Sequence, residues 1–125
     1  MNTKRILAVD DDLSVTRSLK LNLENTMRYE VRIENDSSRV VAAAREFYPD
    51  LILLDVVMPG LDGCDVSTRI HADPELRDTP IVFLTALATN EDTGGQAITA
   101  GATVYVAKPV LLGELIRCID QHVRP

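Results

Sequence analysis

Residues 6–12 of this 125-residue chain read ILAVDDD, four apolar residues followed at once by three adjacent carboxylates. A short, continuous run of aliphatic residues is typical of a strand that is buried on both faces of a parallel sheet. The repetition of such runs at regular intervals predicts five strands in one sheet. The four further runs are VRI at 31–33, LILL at 51–54, IVFL at 81–84 and TVYV at 103–106.

Segments between the strands have the period of amphipathic helices, because apolar residues recur there at spacings of three and four. Ser14 marks the predicted start of the first helix, and either Ser37 or Ser38 marks that of the second, which Pro49 ends. With right-handed crossovers, this alternation predicts a single α/β domain over residues 1–125, a doubly wound parallel sheet covered by helices on both faces. The apolar residues with this helical spacing lie in the ranges 15–23, 40–47, 66–70 and 115–123.

Composition excludes several classes of function. With 46% hydrophobic and 26% charged residues, the chain is typical of a globular domain. Its first apolar run is too short for a secretory signal, and no run reaches the roughly 18 residues of a membrane span. We therefore expect a cytoplasmic protein with no membrane partner. The net charge of -6 argues against direct nucleic-acid binding by this domain and favours a cation as ligand.

Charged and polar side chains follow four of the predicted strands at the point where each strand ends. The carboxyl ends of parallel strands meet at one edge of a sheet, so these side chains should lie together. Crowded carboxylates repel one another by about 4 kcal/mol per pair at about 4 Å and an effective dielectric near 20. A cation must balance them, and Mg²⁺ prefers such oxygen ligands. The charged and polar side chains at these strand ends are Asp10, Asp11, Asp12, Asp55, Thr85 and Lys108.

Asp55 has the surroundings that a nucleophile needs in phosphoryl transfer. A metal ion and Lys108 would screen the oxygens of an incoming phosphoryl group, and Thr85 offers a hydroxyl donor. The residues thus predict a carboxylate that accepts a phosphoryl group in the presence of Mg²⁺.

Four motifs together resemble the receiver domain of two-component response regulators. They are ILAVDDD, LILLDVVMPGLDG, IVFLTA and YVAKP, in that order, and the resemblance extends from about residue 4 to 123. It implies a flavodoxin-like, five-stranded parallel sheet in the order 2-1-3-4-5. It also implies a signalling domain rather than an enzyme, one that accepts a phosphoryl group from a sensor histidine kinase or a phosphotransfer protein and then switches its output face.

The resemblance assigns the metal and phosphoryl contacts residue by residue. Asp55 would be the phosphorylated residue and a metal ligand. Asp11 and, less directly, Asp10 would position Mg²⁺, together with the main-chain carbonyl of Val57. Lys108 would contact a phosphoryl oxygen.

The resemblance also implies a switch. Thr85 would move toward the phosphoryl group after transfer, with the backbone N–H of Ala86 nearby, and Tyr105 would swing inward as Thr85 moves. The peptide bond between Lys108 and Pro109 is expected to be cis. Tyr105 has a plainer interpretation as a core residue, and for Asp12 a role as helix cap is preferred over metal binding.

Val57 and Leu87 stand two residues after Asp55 and Thr85, where many members of the family place polar or charged side chains. These positions flank the path of a hydrolytic water toward the acyl phosphate. Two apolar side chains can neither orient nor activate that water. We therefore expect slow self-dephosphorylation.

Residues 89–101, TNEDTGGQAITAG, should contain the fourth helix but include the adjacent pair Gly94 and Gly95. Each glycine costs up to about 1 kcal/mol relative to alanine in a helix interior. The helix is expected to be short, starting after the pair or broken by it. Two interpretations stay open: a soft helix that phosphorylation orders, or a loop insertion.

Alternative functions fit the sequence less well. A phosphatase of the haloacid dehalogenase type would need a D-x-D-x-T pattern where this chain has DDDLS, and a flavodoxin-like carrier would need a phosphate-binding loop where the aspartates stand. A pseudo-receiver typically loses an acid, lysine or hydroxyl position that this chain keeps. The sequence leaves open the cognate kinase, a phosphorylation-dependent dimer, and whether a downstream partner protein or a missing output domain receives the signal.

Overall fold

In the computed structural model, residues 3–85, 98–100, 103–108 and 110–123 are described. Within these ranges the chain forms six strands, four α-helices and one 3₁₀ turn at Ser37–Arg39. The strands are β1 (Lys4–Val9), β2 (Tyr29–Glu34), β3 (Leu51–Asp55), β4 (Ile81–Thr85), β5 (Ile98–Ala100) and β6 (Thr103–Ala107). The helices are α1 (Leu13–Glu24), α2 (Val40–Phe47), α3 (Gly63–Ala72) and α4 (Leu112–His122).

The sheet has the strand order β2-β1-β3-β4-β6-β5. Strands β2, β1, β3, β4 and β6 run parallel to one another. Because β6 corresponds to the predicted fifth strand, the predicted order 2-1-3-4-5 is confirmed. The sixth strand, β5, was not predicted and pairs antiparallel with β6 at the edge of the sheet. Parallel pairing places the carboxyl ends of β1, β3, β4 and β6 at one edge.

Strand β5 corrects part of the prediction for the fourth helix. Residues 98–100 were assigned to a segment that should contain this helix, but they extend the sheet, with Ile98 opposite Tyr105. The β-branched Ile98 and Thr99 favour extended backbone, and edge pairing satisfies hydrogen bonds that a helix fragment this short could not. Residues 89–97, with Gly94 and Gly95, lie outside the described part of the chain.

Two apolar clusters, one on each face of the sheet, fix the strand ends. Strand β1 alternates between them: Ile6 and Ala8 pack toward α1 and α4, whereas Leu7 and Val9 pack toward α2 and α3. All four side chains are completely buried. Full burial of one large aliphatic side chain stabilises the fold by about 1.5–3 kcal/mol, so sliding the strand by one residue would be costly. The residue after β1 is therefore held in place.

Helix α1 begins earlier than predicted, because Asp12 rather than Ser14 caps it, whereas α2 begins at Val40, after a 3₁₀ turn and with no side-chain cap of its own. Asp12 is the N-cap of α1, and its carboxylate accepts the backbone N–H of Ser14 at 2.9 Å. Asp36 likewise caps the 3₁₀ turn before α2 by accepting the N–H of Ser38 at 3.0 Å. A carboxylate also interacts favourably with the positive end of the helix dipole. The preferred interpretation of Asp12 is thus confirmed, and Ser14 is not the cap.

The predicted end of the second helix before Pro49 is confirmed. Helix α2 ends at Phe47, and Tyr48 follows in a left-handed conformation with φ 51°, directly before Pro49. Among the described helices, none has both the length and the apolar character that crossing a bilayer would require.

Candidate functional site

The carboxyl edge of the sheet brings together the side chains that the strand ends predicted. Asp55 is the last residue of β3, Asp10 follows β1, and Lys108 follows β6. The Nζ of Lys108 lies 2.6 Å from Oδ2 of Asp10 and 3.1 Å from Oδ1 of Asp55. Asp10 and Asp55 are only 1% and 5% exposed, so a single ammonium group serves two buried carboxylates.

Asp11 completes a cluster of three carboxylates. One oxygen from each of Asp10, Asp11 and Asp55 lies within 4.8 Å of the other two. Several carboxylate oxygens converging on one open space are the donor set of a hard divalent cation, so the residues present fit Mg²⁺.

The three acids are not equivalent as ligands. Both oxygens of Asp10 already accept hydrogen bonds, Oδ1 from the N–H of Asp12 at 3.0 Å and Oδ2 from Lys108. Asp11 is exposed, so its carboxylate is open to a hydrated ion. This difference matches a more direct metal contact for Asp11 than for Asp10.

An open cavity of about 430 Å³ lies over this cluster. Thr85, the last residue of β4, is buried and also lines the cavity, and its carbonyl accepts the N–H of Lys108 at 2.8 Å. Val57 lines the outer part with 67% of its surface exposed. The structure therefore groups the predicted acids, hydroxyl, ammonium and apolar neighbour around one space.

The charge on Asp55 is disfavoured in the folded protein without a cation. Burial is the largest influence on this carboxyl group and raises its pKa, and the nearby charge of Asp10 raises it further. Hydrogen bonds from Lys108 and from the N–H of Val57 lower the pKa only in part. For Lys108, burial opposes the charge, but the hydrogen bonds to Asp10 and Asp55 outweigh burial and raise its pKa.

We expect Asp55→Asn to stabilise the metal-free protein at pH 7. Because the folded pKa of Asp55 lies above its ordinary value of 3.8, ionisation of Asp55 lowers stability as pH rises through the folded pKa. The amide removes this penalty, and the melting temperature should rise by about 3–6 °C if the relief is about 1 kcal/mol. Thermal unfolding in chelator at pH 7 measures the effect.

The same comparison near pH 3 is the control, because both side chains are then largely uncharged and the two melting temperatures should converge. Asp78→Asn, at an exposed position, should leave the melting temperature unchanged at both pH values. An Asp55→Asn protein that melts at or below the unsubstituted protein at pH 7 would contradict the proposed electrostatic penalty.

Tyr105 is partly buried and stacks on Phe83 of the neighbouring strand, with ring centroids 5.5 Å apart and an interplanar angle of 26°. This contact belongs to the apolar cluster beneath α2 and α3, which gives the core interpretation of Tyr105 direct support. Its movement as a switch stays a prediction. The predicted Ala86 contact, the Leu87 position and the cis bond before Pro109 lie outside the described residues.

The loop after Asp55 needs its glycines. Gly60 has φ +81°, which L-residues rarely adopt. Gly63 has an additional role that the sequence did not indicate. A Cβ at this position would lie 2.5 Å from the carbonyl oxygen of Asp55 and 2.9 Å from Cα of Val56, so α3 begins in direct contact with the acceptor strand.

Sequence reasoning also missed Asn35 and Ser37 as parts of the site. Asn35 was assigned no role, and Ser37 was considered only as a helix start. Both side chains hydrogen-bond to the loops that carry the acidic cluster. Their position in a polar turn directly after a strand was the only signal available, and such turns are common in loops of every kind.

Comparison with known proteins agrees with this geometry. A family model described as "Response regulator receiver domain" matches residues 6–120. The DNA-binding response regulator MtrA of Mycolicibacterium smegmatis is 36% identical over 121 residues, which are 97% of this chain and 51% of MtrA. The response regulator PleD of Caulobacter vibrioides is 40% identical over 106 residues, 85% of this chain and 23% of PleD.

Among solved structures, chemotaxis protein CheY4 of Vibrio cholerae superposes with a TM-score of 0.80 at 27% identity, covering 96% of this chain and 98% of CheY4. This chain spans about half the length of the MtrA proteins that it matches. The family match covers all residues of the acidic site and nearly all of the sheet that carries it. The chain therefore belongs to the receiver domains of response regulators, the signalling domains of two-component systems.

Proposed function

We propose that this receiver accepts a phosphoryl group on Asp55, either from a phosphohistidine of a sensor kinase or phosphotransfer protein or from a small phosphodonor. Mg²⁺ would be held by Asp10, Asp11, Asp55 and the main-chain carbonyl of Val57. The observation that carries this proposal is the convergence of three carboxylate oxygens within 4.8 Å beside the ammonium group of Lys108.

Each side chain of the site has a different role in the phosphoryl transfer. A carboxylate oxygen of Asp55 forms the new O–P bond as the N–P bond of the phosphohistidine breaks, giving an aspartyl phosphate. Lys108 then binds a phosphoryl oxygen with the ammonium group that now contacts Asp55. The bound metal supplies positive charge that lets a phosphoryl group enter an acidic cavity. After the transfer, Thr85 moves toward the phosphoryl group, the N–H of Ala86 contacts it, and Tyr105 follows Thr85 inward.

The direct test is intact-mass measurement after incubation with acetyl phosphate and Mg²⁺. We expect the added mass of one phosphoryl group on the unsubstituted protein, and no addition on Asp55→Asn or in the presence of chelator. Asp65→Asn, on an exposed position in the first turn of α3, is a matched control that should be labelled normally. An added mass that survives the substitution of Asp55 or the removal of metal would overturn the assignment.

The partner proposals follow from the family. Response regulators receive their signal from histidine kinases, so we propose a kinase or phosphotransfer protein as donor. We further propose that residues 1–125 form one cytoplasmic receiver domain that signals through protein contacts. The name of MtrA states that it binds DNA, and MtrA is about twice as long as the region matched here.

We expect Val57→Asn to accelerate loss of the phosphoryl group. Val57 is 67% exposed at the mouth of the cavity, where an amide could hydrogen-bond the hydrolytic water and a valine cannot. One positioned hydrogen bond of about 1–1.5 kcal/mol corresponds to roughly tenfold in rate. The decay of the phosphorylated mass after removal of the donor measures this rate.

Val57→Ala is the matched control, since it opens the cavity without adding a hydrogen-bonding group. If the alanine variant loses its phosphoryl group as fast as the asparagine variant, access rather than water orientation limits the reaction. Decay of the unsubstituted protein within seconds, with no acceleration by asparagine, would contradict slow self-dephosphorylation.

A further inference from the structure

The short connection between β2 and α2 contacts both loops that carry the oxygens of the cation site. Asn35 contacts the loop after β1. Its Nδ2 donates to the main-chain carbonyl of Asp10 at 2.8 Å and to Oγ1 of Thr16 at 2.9 Å. Thr16 is completely buried, and its hydroxyl donates to the carbonyl of Leu13 at 3.1 Å. The Asn35 amide therefore joins the strand end at Asp10 to the first turn of α1.

Ser37 contacts the loop after β3 in the same way. Its buried hydroxyl donates to the carbonyl of Pro59 at 3.1 Å and accepts the N–H of Leu61 at 3.2 Å. These two contacts flank Gly60, whose ideal Cβ would lie 3.5 Å from the Ser37 hydroxyl. One hydroxyl thus fixes the backbone of the segment that begins at Val57.

The connection is itself held in one conformation by local hydrogen bonds. Oε2 of Glu34 accepts the N–H groups of Asn35 and Asp36, each at 3.1 Å. Asp36 accepts both the N–H and the hydroxyl of Ser38, at 3.0 and 2.7 Å. A segment fixed in this way can hold two neighbouring loops at a constant separation.

We infer that Asn35 and Ser37 are positioning residues that hold the two ligand-bearing loops of the Mg²⁺ site in their binding geometry before the ion arrives. The inference rests on the proposed function, since it concerns the same cation. Outer groups that orient metal ligands typically change metal affinity by about 10–100-fold when they are removed. Without these hydrogen bonds, ion binding must also order the loops, which lowers affinity.

The test is a magnesium titration of the full 125-residue chain, in which NMR of backbone amides and calorimetry measure the affinity for Mg²⁺. We expect Asn35→Ala and Ser37→Ala each to weaken Mg²⁺ binding by about tenfold. Ser18→Ala is the matched control, because this exposed hydroxyl on α1 accepts the amide of Asn22 within the same helix and its loss should leave Mg²⁺ affinity within about twofold. Ser37→Thr, which keeps the hydroxyl, should restore binding.

A second readout uses the metal-free protein. Amide hydrogen exchange at Leu61 should quicken in Ser37→Ala and stay unchanged in Ser18→Ala, because the first loses the acceptor of that N–H and the second does not. If Ser37→Ala does not fold, Ser37→Cys keeps nearly the same volume with weaker hydrogen bonding and should show the same two effects.

The outcomes separate this inference from the proposed function. Unchanged Mg²⁺ affinity in both alanine variants would overturn the positioning role while leaving phosphorylation of Asp55 intact. An unsubstituted protein that binds no Mg²⁺ would overturn both. Weakened binding with unchanged exchange at Leu61 would also count against Ser37, because the loop would then be fixed without its hydroxyl.

Discussion

Lys108→Met should destabilise the metal-free protein by about 3–5 kcal/mol, the typical effect of leaving a buried charge without its partner. The ammonium group of Lys108 contacts Asp10 at 2.6 Å and Asp55 at 3.1 Å, and both carboxylates are almost fully buried. Methionine keeps the unbranched shape and most of the length of the side chain but leaves two close anions without a counter-charge. Urea unfolding in chelator at pH 7 measures the loss.

Mg²⁺ should reverse much of this loss, because a cation bound to the same carboxylates supplies the missing charge. Binding to the folded state alone adds stability that grows with the ratio of ligand concentration to Kd. We therefore expect Mg²⁺ to stabilise Lys108→Met more than the unsubstituted protein. The double variant Lys108→Met/Asp55→Asn should be more stable than Lys108→Met alone, since one of the two unpaired anions is gone.

The pH dependence gives an independent check. The pKa of Lys108 is raised in the folded protein, so the stability that its charge contributes is full below the ordinary value of 10.5. That contribution falls as pH rises through the raised pKa. The difference between the two proteins should hence shrink in strong alkali, where Lys108 loses its charge, and also in acid, where Asp55 is protonated in both proteins.

Arg117→Met is the matched control. Arg117 pairs with Glu114 at 2.8 Å on an exposed face of α4, and its side chain is 64% exposed. Such a surface pair contributes about 0–1 kcal/mol, and Mg²⁺ should not affect its loss. Equal destabilisation by the two substitutions would contradict the central role of Lys108, and so would a magnesium effect that is the same in both proteins.

The positions of Asp10, Asp55 and Lys108 could be predicted from the sequence for a simple physical reason. Each follows a short apolar run whose length is fixed by burial on both faces of the sheet, and parallel pairing then brings the strand ends together. Hydrophobic burial is the largest favourable contribution to folding, and it is visible in the sequence as a pattern. The strand order itself came from the resemblance of four motifs to receiver domains.

The parts that could not be predicted depend on hydrogen bonds between loops. Ser37 and Pro59 are 22 residues apart, and their contact exists only because β2 and β3 lie on either side of β1. A lone hydrogen bond of about 1 kcal/mol leaves no periodic trace in a sequence. The edge strand at Ile98–Ala100 was missed for a similar reason, because three residues are too few to show a period and the pairing with β6 leaves no trace in the local sequence.

Gly63→Ala should be the most damaging single-methyl change in this site. Its Cβ would lie 2.5 Å from the carbonyl oxygen of Asp55 and 2.9 Å from Cα of Val56, and the N–H of Gly63 donates to the carbonyl of Val56 at 2.8 Å. The atoms in the way are backbone, so the start of α3 and the end of β3 must move apart. Forcing extra volume into packed structure costs about 1–3 kcal/mol or more.

Gly113→Ala is the matched control, because it adds the same methyl group within helix α4, where no atom of the described residues outside the adjoining helix backbone lies within 4 Å of the new Cβ. There alanine should stabilise the protein by up to about 1 kcal/mol through its higher helix propensity. The two substitutions should therefore change the free energy of unfolding in opposite directions.

Labelling by acetyl phosphate should also slow by about tenfold or more in Gly63→Ala alone, since a displacement of the nucleophile of about 1 Å can cost as much as 100-fold in rate. If Gly63→Ala is labelled at the normal rate, the contact between α3 and the end of β3 does not position Asp55.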